Sequence, residues 1–296
     1  MKTALVFGAS GQIGAPLLER LNDAGWRVYA VSRQPRSDTP GRHWLRSGFD
    51  GMHANTHELP NAVDGIFSCG PLDLFARWHS ETQIRSARIV AFGSTSAATK
   101  HGSADDGERE LARRLLGAEA ALFETSEQRG ASATILRPTL VYGAGRDATL
   151  SRIAGLARRW GRFVLPRHGD GLRQPVHVHD LATAAFAVCM SPATHGRSYD
   201  LPGGETLPYR EMVRRVLACL QPAPPLLELP MPLFRLALKA AQTRGIARDL
   251  TDAAVERMRE DMVFSLESAQ RDFGYAPRAF KPEARMFEVR NGDGGS

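Results

Sequence analysis

Gly8, Gly11 and Gly14 recur at three-residue intervals in Gly8-Ala9-Ser10-Gly11-Gln12-Ile13-Gly14, after the apolar run Thr3–Phe7 and before a helical pattern. A phosphate can approach a helix start closely only where side chains are absent, and the free N–H groups and helix dipole there favour negative charge. The spacing is G-x-x-G-x-x-G rather than the commoner G-x-G-x-x-G, but its place between strand and helix is the one a pyrophosphate-binding turn needs. Gly8, Ser10, Gly11, Gln12, Ile13 and Gly14 are therefore expected to cradle a dinucleotide. The alternative, a merely tight turn, needs no such setting.

The second strand decides which dinucleotide. Its end faces the adenosine ribose, where a carboxylate suits a free 2′-OH and an arginine suits a 2′-phosphate. Here it reads Ala30-Val31-Ser32-Arg33, with no acid and with Arg36 close behind. Ser32 and Arg33 thus favour NADP(H), with NAD(H) as the alternative and a solvated strand exit as the ordinary reading of Arg33.

These residues need elements to hold them. Runs rich in Val, Ile, Leu and Phe at Thr3–Phe7, Arg27–Val31, Gly65–Ser68, Arg88–Phe92 and Ala133–Leu136 alternate with helical-period segments. That alternation predicts an α/β fold of Rossmann type, a doubly wound parallel sheet with helices on both faces. In the first helix, expected over Gln12–Ala24, Ile13, Leu17, Leu18 and Leu21 make one apolar stripe and Gly25 stops it. After Pro138 the texture changes. Helices are expected over 148–160, 181–190, 233–242 and 251–261, with a Pro-rich link at Pro222-Ala223-Pro224-Pro225. Residues 1–140 read as the dinucleotide-binding core, 141–290 as a smaller C-terminal substrate lobe returning segments to the core, and 291–296 as a disordered tail.

Composition narrows the class. The 296 residues are 43% hydrophobic and 24% charged, as in an ordinary globular chain. Cys69, Cys189 and Cys219 are far apart without CxxC spacing, and no leader precedes the first strand, so a cytoplasmic setting is expected. The longest apolar stretch, Met231–Ala241, is interrupted by Arg235 and Lys239 and is shorter than the roughly 20 residues of a membrane span, so no membrane partner is expected. The net charge of +6 draws on Arg146, Arg152, Arg158, Arg159, Arg162, Arg167 and Arg173. Such a run could hold an anionic substrate, but solvated helix faces are its ordinary explanation, and nothing resembles a nucleic-acid module.

With these residues in hand, the chain resembles the short-chain dehydrogenase/reductase superfamily, in its extended, NAD-dependent epimerase/dehydratase-like branch. The likeness is carried by the glycine loop, Ile66-Phe67-Ser68-Cys69-Gly70, Val90-Ala91-Phe92-Gly93-Ser94-Thr95-Ser96, Leu136-Arg137-Pro138-Thr139-Leu140-Val141-Tyr142-Gly143, Pro175-Val176-His177-Val178-His179-Asp180-Leu181-Ala182 and Tyr199-Asp200-Leu201-Pro202-Gly203-Gly204-Glu205. It implies that Ser68, Cys69 and Gly70 lie beside the cofactor ribose and that Pro138 to Val141 flank the nicotinamide. Ser94 or Ser96 would hydrogen-bond the reacting oxygen. It also implies a small-molecule substrate and suggests a homodimer.

One part of the pattern is missing. Catalysis in this superfamily uses a Tyr-x-x-x-Lys pair one helical turn apart, the lysine lowering the tyrosine pKa. The matching segment, Glu108 to Ala120, holds neither residue, and the alignment sets Arg113 and Gly117 opposite the pair. Tyr142, His177 or His179 could move the proton instead, although each has a structural alternative in the core. His177 and His179, two apart on an expected strand, would point the same way, but without a third ligand no metal is expected. Asp180 reads as a helix N-cap. An oxidoreductase or isomerase for a small carbonyl or alcohol, with atypical proton transfer, is the leading expectation. A non-catalytic redox sensor or structural subunit follows, and a nucleotide-sugar epimerase ranks below both.

Overall fold

A computed structural model describes residues 1–49, 59–147, 149–243 and 252–287. Ala148, Thr251 and the tail 291–296 lie outside the described residues. The chain divides into two compact units. One comprises Met1–Thr139, Val178–Leu201 and Ser265–Pro277, the other Leu140–His177, Pro202–Phe264 and Arg278–Ser296.

The first unit is built on a seven-stranded sheet: β1 (Thr3–Phe7), β2 (Arg27–Ser32), β3 (Arg42–Arg46), β4 (Gly65–Ser68), β5 (Arg88–Phe92), β6 (Ser132–Pro138) and β7 (Arg197–Leu201). The spatial order is β7-β6-β5-β4-β1-β2-β3, and every pairing is parallel. Central strands buried on both faces read as unbroken apolar runs, which is why β1, β4 and β5 were legible. The helices are α1 (Gly14–Asp23), α2 (Leu72–Glu81), α3 (Ser96–Thr99), α4 (Asp106–Gln128), α5 (Val178–Met190) and α6 (Glu267–Phe273). On one face, Phe75 and Trp78 of α2 and Leu122 of α4 join Leu5, Phe7, Val31, Ile66 and Ile135 in a continuous core. On the other, α1 and α5 pack against each other over the sheet. Strand order reverses on the two sides of β1. Open α/β sheets bind ligands at that crevice, off the carboxyl ends of the strands.

The second unit has a core of Tyr142, Leu150, Ile153, Leu165, Met212, Val213, Val216 and Phe280. Its helices Leu150–Trp160 and Tyr209–Ala218 each turn one apolar face inward, with Arg158 and Arg159 in the last turn of the first, where cations suit the helix dipole. The strand Val141–Tyr142 pairs in parallel with Val176–His177.

Two expectations are corrected here. The strand ends at His177 and helix α5 begins at Val178, so His177 and His179 are not alternate residues of one strand and share no face. For the same reason Asp180 lies inside the first turn of α5, where its charge suits the helix dipole, rather than at the N-cap.

Candidate active site

The glycine loop follows β1 at the point where the strand order reverses. Gly8 adopts φ +64°, and a Cβ there would stand 2.8 Å from the Cys69 carbonyl carbon. At Gly14 a Cβ would lie 2.1 Å from the Gly8 oxygen, and at Gly11 2.9 Å from the same oxygen, which already accepts the Gly11 N–H at 2.8 Å. All three glycines are therefore required by backbone packing. The helix behind them starts at Gly14, two residues later than expected, and no side chain caps it; the Ala15 N–H donates back to the Gly11 oxygen at 3.1 Å and Pro16 has no N–H, so donors for an anion come from the turn before the helix. Ile13 is buried beneath the turn, and Gln12 Oε1 is buried without a hydrogen-bond partner among the described residues. A glycine cradle, an uncapped helix start and an orphaned acceptor fit a bound dinucleotide.

The next turns of the sheet edge meet this loop. The Cys69 N–H donates to the Phe7 oxygen at 3.0 Å, joining the ends of β1 and β4. Ser68 is wholly buried with its Oγ unpartnered among the described residues. Burial pushes the Cys69 thiol up to about 12, so it stays protonated. A Cβ on Gly70 would press to 3.1 Å from the Phe49 ring, which stacks on Phe7 at 4.9 Å. At the end of β2, buried Ser32 shares a 3.3 Å hydroxyl hydrogen bond with Ser10 and accepts the Gln34 N–H at 3.2 Å, while Arg33 is exposed.

Beyond β5, Gly93-Ser94-Thr95-Ser96 turns into the short helix α3. Ser94 Oγ accepts the Ser96 N–H at 3.1 Å. Thr95, which the sequence did not single out, anchors the turn: its N–H and hydroxyl both donate to the Pro138 oxygen, at 3.3 and 3.2 Å. Buried Pro138 thus ties the end of β6 to the turn carrying both serines. Residues after β1, β2, β4, β5 and β6 therefore share one sheet edge.

Helix α4 resolves the missing pair. Arg113 and Gly117, set opposite it by sequence, are exposed, and Arg113 is engaged with Glu110. The inward face carries Leu111, Leu115 and Glu119 at four-residue spacing, half-buried, half-buried and buried. The positions on that face that a pair serving the sheet edge would need hold no tyrosine and no lysine.

The second unit brings Tyr142 and His177 together. They are neighbours across the strand pair, with rings 5.1 Å apart and edge-to-face, and Phe280 meets the tyrosine at 4.9 Å. Tyr142 is 1% and His177 4% exposed. Gly143 adopts φ +115°, and a Cβ there would sit 2.5 Å from His177 Nε2. Tyr142 is a member of the unit's core, His177 is buried against it, and Val141 is half-buried beside Tyr142.

No helix among the described residues is long and apolar enough to cross a membrane. Among curated proteins, the chain is 26% identical over 324 residues to a 2-alkyl-3-oxoalkanoate reductase of Stenotrophomonas maltophilia, covering 93% of this chain and 94% of the relative. It is 24% identical to an uncharacterized protein, y4nG, of Sinorhizobium fredii, over 98% of this chain and 78% of that one. The fold is shared with the epimerase Mth375 of Methanothermobacter thermautotrophicus, at a TM-score of 0.70 and 14% identity over 96% of this chain and 89% of that one. It is also shared with MoeE5 in complex with UDP-glucuronic acid and NAD, at 0.69 and 19% identity over 94% of each chain. The profile of the NAD dependent epimerase/dehydratase family matches residues 4–70 and 112–201, the glycine loop, the β4 turn and β6 included. Since that match spans more than half of its length, the chain belongs to the NAD dependent epimerase/dehydratase family.

Proposed function

We propose that the protein is an NADP(H)-dependent oxidoreductase acting on a small carbonyl compound or the corresponding alcohol, without the tyrosine and lysine usual in such chemistry. The observation that carries this reading is the uncapped start of α1 above the Gly8–Gly14 cradle, next to a β2 exit that offers Arg33 and no carboxylate. NADP(H), when bound, supplies hydride exchange at its nicotinamide. The backbone N–H groups of Gln12 to Gly14 hold the pyrophosphate. Ser10 and Ser32 line the adenosine side, and Arg33 holds the 2′-phosphate. Cys69 and Gly70 border the nicotinamide ribose, and Pro138 flanks the ring.

Ser96 orients the substrate oxygen, its own N–H held by Ser94, and relays a proton from solvent. Tyr142 and His177 are buried in the core of their unit and act as its support. The relative from Stenotrophomonas is by name a 2-alkyl-3-oxoalkanoate reductase and matches over 93% of this chain and 94% of its own, which makes oxo acids the first substrate class to try.

The lack of any tyrosine or lysine in Glu108–Ala120 of α4 favours a second reading, a cofactor-binding protein without turnover. Calorimetric titration of NADPH, NADP, NADH and NAD into wild type and Arg33→Ala, followed by a panel of oxo acids, ketones and aldehydes, separates the two. Turnover of one carbonyl supports the enzyme. Tight binding with no turnover across the panel moves the assignment to the sensor, and absence of binding overturns both.

A further inference from the structure

The neighbour of β2 carries an arginine that the glycine-loop argument does not use. Strand β3 pairs with β2 in parallel register, Ser32 opposite Arg46. Paired residues of a parallel ladder present their side chains on the same face, and residues two apart share that face. Ser32 reaches the Ser10 hydroxyl of the glycine loop at 3.3 Å, so Arg46 extends from the sheet on the loop's side.

Trp44 lies on that face too, and the guanidinium of Arg36 sits 5.3 Å from its ring centroid. The stem of Arg33 leans toward Gly48, whose Cβ would be 3.9 Å from Arg33 Cγ. Arg33, Arg36 and Arg46 are all exposed, and none forms an ion pair among the described residues. The nearby acid, Asp38, has other partners: it accepts the Trp44 N–H at 2.7 Å and meets His43 Nδ1 at 2.5 Å. Like charges repel, and three cations with no counter-charge among the described residues, beside a loop hydroxyl, make a locus for an external dianion.

We infer that Arg46 is a specificity-determining residue for the cofactor, closing with Arg33 and Arg36 on the phosphate at the adenosine 2′ position. The inference rests on the NADP(H) reading above, and it places on β3 a determinant that the β2 exit alone does not contain. Arg36, held over Trp44, is partly pre-organised, so less side-chain freedom is lost when the phosphate arrives.

The test is calorimetry on the full chain with NADPH, NADH, adenosine 2′,5′-bisphosphate and ADP, using wild type, Arg46→Ala, Arg46→Gln and Arg33→Ala, with circular dichroism to confirm folding. We expect both Arg46 variants to weaken NADPH and the bisphosphate by roughly tenfold or more, the scale of a lost charge-assisted hydrogen bond, and to leave NADH and ADP unchanged. If wild type prefers NADPH but the Arg46 variants keep the full preference, Arg46 has no such role. Equal weakening of all four ligands also overturns the inference, because it reports a disturbed loop. A wild type with no preference for the 2′-phosphorylated ligands sinks the NADP(H) reading itself.

Discussion

Glu119 of α4 and Arg137 of β6 form a two-pronged ion pair directly beneath the turn that carries Ser94 and Ser96. Arg137 Nε donates to Glu119 Oε1 at 2.8 Å, and its Nη2 bonds the other carboxylate oxygen. A Cβ on Gly93 would come within 3.1 Å of Glu119 Oε1, so the turn rests on the carboxylate. Glu119 is 4% exposed, and burial raises the carboxyl of neighbouring Asp200 while Arg137 opposes that rise. Removing Glu119 strands the half-buried Arg137 guanidinium. Glu119→Ala should therefore cost about 3 kcal/mol or more in urea unfolding, and Glu119→Leu combined with Arg137→Met should recover much of it. An additive double mutant would show that the two residues are not a unit.

Restoring the absent pair tests the register of α4. Leu111→Tyr with Leu115→Lys places the two groups on the inward face, four residues apart. We expect carbonyl reduction to rise by roughly a hundredfold, the usual scale of positioned general acid catalysis. Arg113→Tyr with Gly117→Lys, on the exposed face, should leave the rate unchanged. The opposite ranking of the two double mutants would reject the register.

Gly14 has no room for a methyl group. Its Cβ would lie 2.1 Å from the Gly8 oxygen and 2.7 Å from Ala9 Cα, both backbone atoms that cannot swing aside. Gly14→Ala should lower stability by about 2 kcal/mol and abolish dinucleotide binding in calorimetry. Gly102→Ala, with nothing within 4 Å of its Cβ, serves as the control and should fall within about 0.5 kcal/mol of wild type.

His79 makes stability depend on acidity. It is 2% exposed on α2, its Nε2 is 3.1 Å from Ser126 Oγ, and its Nδ1 is unpartnered among the described residues. Burial, with Arg129 nearby, pushes its pKa from 6.5 down to about 4, so the fold holds it neutral while the unfolded chain takes a proton below about 6.5. Its contribution is fully present above that pH and is lost as pH falls toward 4. At pH 5 the loss is about 2 kcal/mol relative to pH 7. Urea unfolding at both values, in wild type and His79→Gln, should show a smaller pH difference in the variant. An identical difference would assign the acid sensitivity elsewhere.

How much of this was legible without coordinates follows from the range of the forces involved. The glycine loop, the apolar stripe of α1 and the runs of β1, β4 and β5 are written in neighbouring residues, because a buried parallel strand and a helix start each impose a local pattern. Neighbouring residues thus sufficed for the sheet class, the glycine turn and the lack of a Tyr-x-x-x-Lys pair. Strand β3, Arg42-His43-Trp44-Leu45-Arg46, carries no such pattern, since an edge strand exposes polar residues and becomes a strand only by pairing with β2. The same pairing sets Arg46 beside Ser32, fourteen positions away in the chain. It took the folded chain to show that His177 ends a strand while His179 lies in the first turn of a helix, that α4 turns Leu111 and Leu115 inward, and that Glu119 finds Arg137. Each depends on burial and on partners distant in sequence, and periodicity along the chain carries no record of which partner will arrive.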